Sequence, residues 1–410
     1  MQCGAWCGEQ VRAGGGAEGT ACAALALSGC VANAPAGAAG DGAAADAGVT
    51  RLTVDSSADA CTVSAATAPS GTVSFHVTNS TDQVTEFYLL AEDGLRIVGE
   101  VENVSPGIER DLVLTAQPGD YFTVCKPGMV GDGVGRTPFT VTGEQVALAG
   151  DAAQQGEEAA AAYLAYVKDQ VGKLLPATQE FADAYLAGDD DRARALYPTS
   201  RAYYERVEPV AESFGDLDPE IDFREADVEP GTEWTGWHRI EKDLWQPAPD
   251  ANGGDVYVPL STADRARFAQ ELTADTQRLY DAVHADDFSI DISTVSNGAV
   301  GLMDEVATGK ITGEEEIWSH TDLWDFQANL EGARVAYEGV RDIVEPKDPE
   351  LVATLDARFA SLEQDLAAYG SLEQGFTTYD QLTTEQVKGL ADGVNALSEP
   401  LSKLTGALVG

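Results

Sequence analysis

The stretch Thr235-Gly236-Trp237-His238-Arg239-Ile240-Glu241-Lys242-Asp243-Leu244-Trp245 sets a histidine and a carboxylate three residues apart, in a chain with 4 histidines. In a helix each residue advances about 100°, so Trp234, Trp237, His238, Glu241, Leu244 and Trp245 share roughly a third of the circumference, while Arg239, Lys242 and Asp243 face elsewhere. His238 and Glu241 then lie inside the apolar arc. Burying an unpaired charge there costs several kcal/mol, so the pair demands either each other or a shared cation. Side chains three apart meet on any helix, and spacing alone leaves a hydrogen bond and a metal site equally open. On a bundle helix such a pair supplies two ligands and facing helices must supply the rest, as in di-iron bundles.

Outward from this run the chain reads as helical. Tyr163, Val167, Val171, Leu174 and Leu175 recur at helical spacing, and similar patterns cover 181–186, 201–214, 263–284, 348–369 and 384–401, punctuated by Pro176, Pro198, Pro209 and Pro219. This predicts an all-α bundle over 159–410. Before it, the polar stretch 144–158 reads as a linker. Between 50 and 143 short β-branched runs (51–54, 72–78, 84–90, 95–101, 111–115, 121–125 and 139–142) alternate with turn signals such as Pro106-Gly107 and Pro118-Gly119. That regularity predicts an all-β sandwich. Alternation in Val73-Ser74-Phe75-His76-Val77 puts His76 on the face opposite the valines, towards solvent.

At 410 residues the chain has room for two cores. Asp and Glu total 69 against 25 Lys and Arg, a formal charge of -44, which argues against nucleic acid or an anionic membrane surface as partner. Acidity of this kind is most often a means of solvation, and by itself identifies no cation site. No run of 18 apolar residues is present, so no membrane-spanning helix is expected. Leu27-Ser28-Gly29-Cys30 resembles a lipobox, which makes 1–30 a signal segment with Cys30 as the lipidated residue, although Arg12 is its lone positive charge. Residues 31–49, almost all small, read as a disordered tether.

The words around His238 resemble the Gly-x-His-x-x-Glu signature of imelysin-like proteins, and the stretch from Leu302 to Ala333, containing Gly313-Glu314-Glu315-Glu316-Ile317-Trp318-Ser319-His320, resembles the EfeO branch of that family. The resemblance runs from about Tyr163 to the end. It implies an extracytoplasmic iron-binding component of an EfeUOB-type uptake system, with an EfeU-type permease and an EfeB-type haem peroxidase as partners. Thr85-Glu86-Phe87-Tyr88 and the run Pro118 to Met129 resemble the cupredoxin-like domain fused to imelysin-like domains in longer EfeO proteins.

For the helical domain, His238, Glu241 and Asp255 are the first candidate ligands, with Glu305 or His320 completing the shell; a mixed nitrogen and oxygen set suits iron, zinc, manganese or calcium. In the sandwich, Cys125 followed by Met129 has the order of blue-copper ligands, but both histidines are missing and Glu86 stands where one is expected. This leaves a copper or ferric site from Glu86, Cys125, Met129 and Cys61, with a Cys61–Cys125 disulfide as the equal alternative. Two further functions stay open. A metallopeptidase of the inverted type needs His-x-x-Glu-His, and Lys242 occupies the second histidine's place; a protein binding its ligand through calcium is the other.

Overall fold

The computed structural model describes residues 49–410 except 93, 95–96, 130–132, 147, 149–150, 229–230 and 410. The signal segment with Cys30, and the tether up to residue 48, lie outside the described residues.

The amino-terminal part is all β. Its strands are β1 (Val49–Ser56), β2 (Cys61–Val63), β3 (Thr67–Pro69), β4 (Gly71–Asn79), β5 (Thr85–Leu90), β6 (Ile97–Val104), β7 (Glu109–Ala116), β8 (Gly119–Cys125) and β9 (Val134–Thr142). They form one sheet in the order β2-β1-β4-β7 and another in the order β3-β9-β8-β5-β6, with β1–β4 and β3–β9 parallel. Alternation along β4 sends Val73, Phe75 and Val77 inward, where Phe75 meets Phe87 and Phe139 of the other sheet at ring separations of 5.1 and 5.5 Å. His76 faces outward as expected, and its Nδ1 lies 2.7 Å from Asp111 directly across the strand pair. Strands β2 and β3 are too short to carry a period, and the sequence did not announce them.

The rest is helical: α1 (Asp151–Ala187), α2 (Asp190–Glu205), α3 (Leu217–Asp222), α4 (Gly236–Trp245), α5 (Thr262–Val283), α6 (Ile292–Thr308), α7 (Asp322–Val344), α8 (Pro349–Ala367), α9 (Thr384–Leu401) and α10 (Leu404–Val409). The expected linker is half helix, since α1 starts at Asp151. Pro176 and Pro198 divide nothing; they sit inside α1 and α2. A proline removes one helical hydrogen bond at a cost of about 3 kcal/mol, and the apolar faces that these helices bury together outweigh it. Among the described residues no helix is long and apolar enough to cross a membrane.

The two parts meet along α6. Asn297 exchanges hydrogen bonds with the backbone of Thr115 at 3.2 and 3.3 Å, and Arg110 approaches Asp304 at 3.7 Å. Gly298 lets α6 approach the backbone of Pro209, whose carbonyl a β-carbon would strike at 1.6 Å. The packing of α6 on β6 and β7 holds β6, and β5 paired with it, beside the face of the bundle from which the candidate centre is reached.

Candidate metal centre

Helix α4 is buried almost all round, which the amphipathic reading did not foresee. Trp237 packs on Phe181 of α1 and Tyr197 of α2 at 4.8 and 5.8 Å. Asp243, fully buried, accepts from Tyr185, Tyr257 and the backbone of Leu260, and Lys242 holds Glu225 at 2.6 Å. The start of α4 is set by Gly236 at φ +83°, where a β-carbon would lie 2.2 Å from the carbonyl oxygen of Ile221. That close approach brings Asp222, at the end of α3, against His238.

His238 and Glu241 are 1% and 0% exposed, and Nδ1 lies 3.3 Å from Glu241 Oε2. Two groups of donors converge here, each with its ligand atoms within 4.8 Å of one another: Asp222, His238 and Glu315, and His238, Glu241 and Glu316. Glu241 is fixed by its other oxygen, which accepts from the backbone N–H groups of Trp318 and Ser319 at 3.1 and 2.7 Å. Glu316 accepts from Ser319 Oγ at 2.6 Å and from the Tyr197 hydroxyl at 3.0 Å. Neutral and backbone donors thus aim both carboxylates without neutralising them.

The neutralising charge comes from two buried cations. Arg201 pairs with Asp222 and Glu205, lies 2.9 Å from Glu316, 3.6 Å from both Glu315 and Asp325, and puts Nη1 3.1 Å from His238 Nε2. Lys310 lies between Glu208, Glu205, Glu305 and Glu315, at 2.5, 3.4, 3.7 and 3.8 Å. Carboxylates still prevail. Burial, compounded by repulsion from Glu241, lifts the Glu316 pKa well above the usual range, and burial lifts Asp222 to about 7 despite Arg201. For His238, burial and Arg201 push down, but hydrogen bonds to Glu241 and Glu315 and the charge of Glu316 outweigh them and hold its pKa at about 10. Without a bound cation, protons occupy donors that a metal ion would use.

Of the five residues singled out by sequence, the structure brings His238 and Glu241 together and leaves three apart. Asp255 is exposed in the loop after α4, with its carbonyl held by Asn252. Glu305 sits by Lys310, and His320, at φ +58°, spends its backbone N–H on Glu316 and its carbonyl on Tyr379. None of the three belongs to either convergent group. The carboxylates that the structure places beside His238 and Glu241 are instead Asp222, Glu315 and Glu316. The run Glu314-Glu315-Glu316 beside His320 was the signal available for two of them; Asp222 had none.

In the sandwich, Cys61 and Cys125 are joined in a disulfide, so neither is a thiolate and the copper reading loses both its thiolate ligands. Glu86 is 4% exposed and accepts from Tyr88 at 2.6 Å; burial raises its pKa to about 7. Met129 lines two cavities beside the centre, of 190 and 310 Å³.

Residues 159–404 match the family profile described as imelysin, peptidase M75. The chain is 37% identical over 350 residues to a protein named iron uptake system component EfeO from Escherichia coli K12, covering 83% of this chain and 87% of that one. Proteins of the same name from Shigella flexneri and Escherichia coli O157:H7 match to the same extent.

Proposed function

Since the chain belongs to the imelysin family and is similar over most of its length to EfeO proteins, we propose that it is the iron-binding component of an EfeUOB-type uptake system, acting outside the cytoplasm. It captures iron in the helical domain and delivers it to an EfeU-type permease, with an EfeB-type haem peroxidase as the further partner. The observation that carries this reading is the convergence of His238, Glu241 and Glu316 in a buried, carboxylate-rich centre. One nitrogen and hard oxygen donors suit iron, whereas calcium sites are built from oxygen alone. Lys242 is committed to Glu225, no second histidine is at hand, and the matched relatives carry no enzyme name, so proteolysis is not proposed. The cupredoxin-like sandwich, by resemblance, covers the approach to the centre. Lipidation of Cys30 tethers the protein to the membrane, and an intact mass without the added lipid refutes that part.

The test is titration of the full chain with iron. His238→Ala and Glu241→Ala should each weaken binding by about 2–4 kcal/mol, because the remaining partner is left buried and unpaired. The double variant should be scarcely worse than either single one, since the two residues serve one ion. If both single variants bind iron like the parent, the pair is a core hydrogen bond and the proposal falls.

A further inference from the structure

The two convergent donor groups share His238 but use opposite sides of its ring. Nε2 lies 3.8 Å from Asp222 and 3.5 Å from Glu315, while Nδ1 lies 3.3 Å from Glu241 and 3.9 Å from Glu316. We propose that the centre offers two cation positions, one on each nitrogen of His238 and filled one at a time: an outer position with Asp222 and Glu315 that receives the ion, and an inner one with Glu241 and Glu316 that holds it. This rests on the reading of the cluster as an iron centre.

Exclusivity follows from the ring. A neutral imidazole has one lone pair, and the nitrogen that does not bind the metal carries a hydrogen that donates to a neighbouring carboxylate. With the ion on Nε2, the Nδ1–H faces Glu241; with the ion on Nδ1, the Nε2–H faces Glu315. Passage between positions breaks one metal–nitrogen bond and forms another. The ring gives up its Nδ1 proton through Glu241 to water and, once the ion has left Asp222 and Glu315, takes one from water of the cavity at Nε2, so neither its charge nor the number of bound protons changes.

The order of filling follows from access. Asp222 and Glu315 line the cavity between sandwich and bundle, and Glu315 and His238 line the second cavity; Glu241 and Glu316 line neither and are fully buried. In the first cavity carboxylates outnumber cations nine to two among the described lining residues, and walls of one sign concentrate counter-ions and speed their arrival. Arg201 marks the outer position as one suited to a cation. The Nη1 end of its guanidinium pairs with Asp222 beside Nε2, and Nη2 lies 3.6 Å from Glu315. An arriving ion takes over those contacts, while Arg201 keeps Glu205, Asp325 and Glu316. The inner carboxylates, each with an oxygen pinned by the Trp318–Ser319 segment, give the more rigid pair.

The full chain is mixed with cobalt(II) as a spectroscopic probe, and association and dissociation are followed separately. The expected stoichiometry is one ion per chain. Glu315→Gln should slow association about tenfold or more and leave the spectrum of the held ion unchanged; Glu241→Gln should leave association within about twofold and speed dissociation about tenfold or more. Should Glu315→Gln fail to fold, Asp222→Asn removes the other outer carboxylate and carries the same expectation. Glu100→Gln, which removes one charge from the same cavity wall and belongs to neither group, should change association by no more than about twofold. Two ions per chain overturn exclusivity. Equal slowing by Glu100→Gln and Glu315→Gln reduces the outer position to general attraction and overturns it as well. No binding by the parent chain, or binding indifferent to His238→Ala, instead defeats the iron-centre reading itself.

Discussion

Replacing Gly236 with alanine tests whether the close approach of α3 and α4 builds the centre. Residue 236 has φ +83°, where a side chain costs about 1–3 kcal/mol of backbone strain. The added carbon would stand 2.2 Å from Ile221 O, 2.6 Å from Ile221 C and 2.9 Å from Glu220 O. All three are backbone atoms, so no side chain can swing clear, and the end of α3 has to retreat by about 1 Å, at an overpacking cost of about 1–3 kcal/mol. That retreat also strains the hydrogen bonds from Thr235 to Glu220 O and from Trp234 to Phe223 O, at 2.8 and 2.7 Å. The sum is about 2–6 kcal/mol of stability. Asp222 moves away from His238 with α3, so iron binding should weaken together with stability. Urea unfolding followed by circular dichroism gives the first quantity, as a lower midpoint at unchanged slope, and a metal titration gives the second. Gly172→Ala is the control: it lies in α1 with nothing within 4 Å of the new carbon and should be neutral or stabilising by up to about 1 kcal/mol. A Gly236→Ala protein within about 0.5 kcal/mol of the parent, binding iron equally well, would refute the reasoning.

Iron affinity should rise with pH, because His238, at about 10, and Glu316, held well above the usual carboxylate range by burial and by Glu241, must both lose protons to become ligands; the logarithm of the binding constant should climb by at least about one per pH unit below 10, and a flat profile from 6 to 8 contradicts it. Cys61→Ser with Cys125→Ser should cost the sandwich about 2–5 kcal/mol, since the disulfide closes a loop across a sequence separation of 64, and should leave iron capacity unchanged. Copper(II) added to the parent chain should give no intense thiolate-to-copper band, and one would show that the disulfide is absent.

The order of an all-β part before an all-α part was legible because two different periods write it: alternation through Val73, Phe75 and Val77, and helical spacing through Tyr163, Val167 and Val171. Strands β2 and β3, three residues each, stayed hidden because parallel or edge pairing and the disulfide define them. Pro176 and Pro198 misled for a related reason, since the burial that carries helices through them lies in other segments. At the centre, His238 and Glu241 were readable because one helix turn relates them. Asp222, Glu315 and Glu316 lie where no period operates, and their placement depends on the Gly236 contact and on the turn that opens α7. Asp255 was chosen for lying in the loop after the His238 helix, and nearness in sequence does not survive a loop.

The balance of charge inside the bundle explains how such a centre can exist without its ion. Glu205, Asp222, Glu241, Glu315, Glu316 and Asp325 are buried together, and burying them unpaired would cost far more than a domain's net stability. Arg201 and Lys310 offset enough of that charge, and protons on the carboxylates whose pKa values are raised offset much of the rest. An incoming ion therefore competes with protons and with one end of a guanidinium, and a monovalent cation brings no more charge than the proton it would displace. A multivalent ion does. The chain's formal charge of -44 attracts cations of every kind, and its exposed part is screened beyond about 8 Å at physiological salt. The buried cluster is not screened in this way. On the proposed reading, surface charge governs how fast ions arrive and the cluster governs which ion stays, so added salt should slow capture more than it loosens the hold.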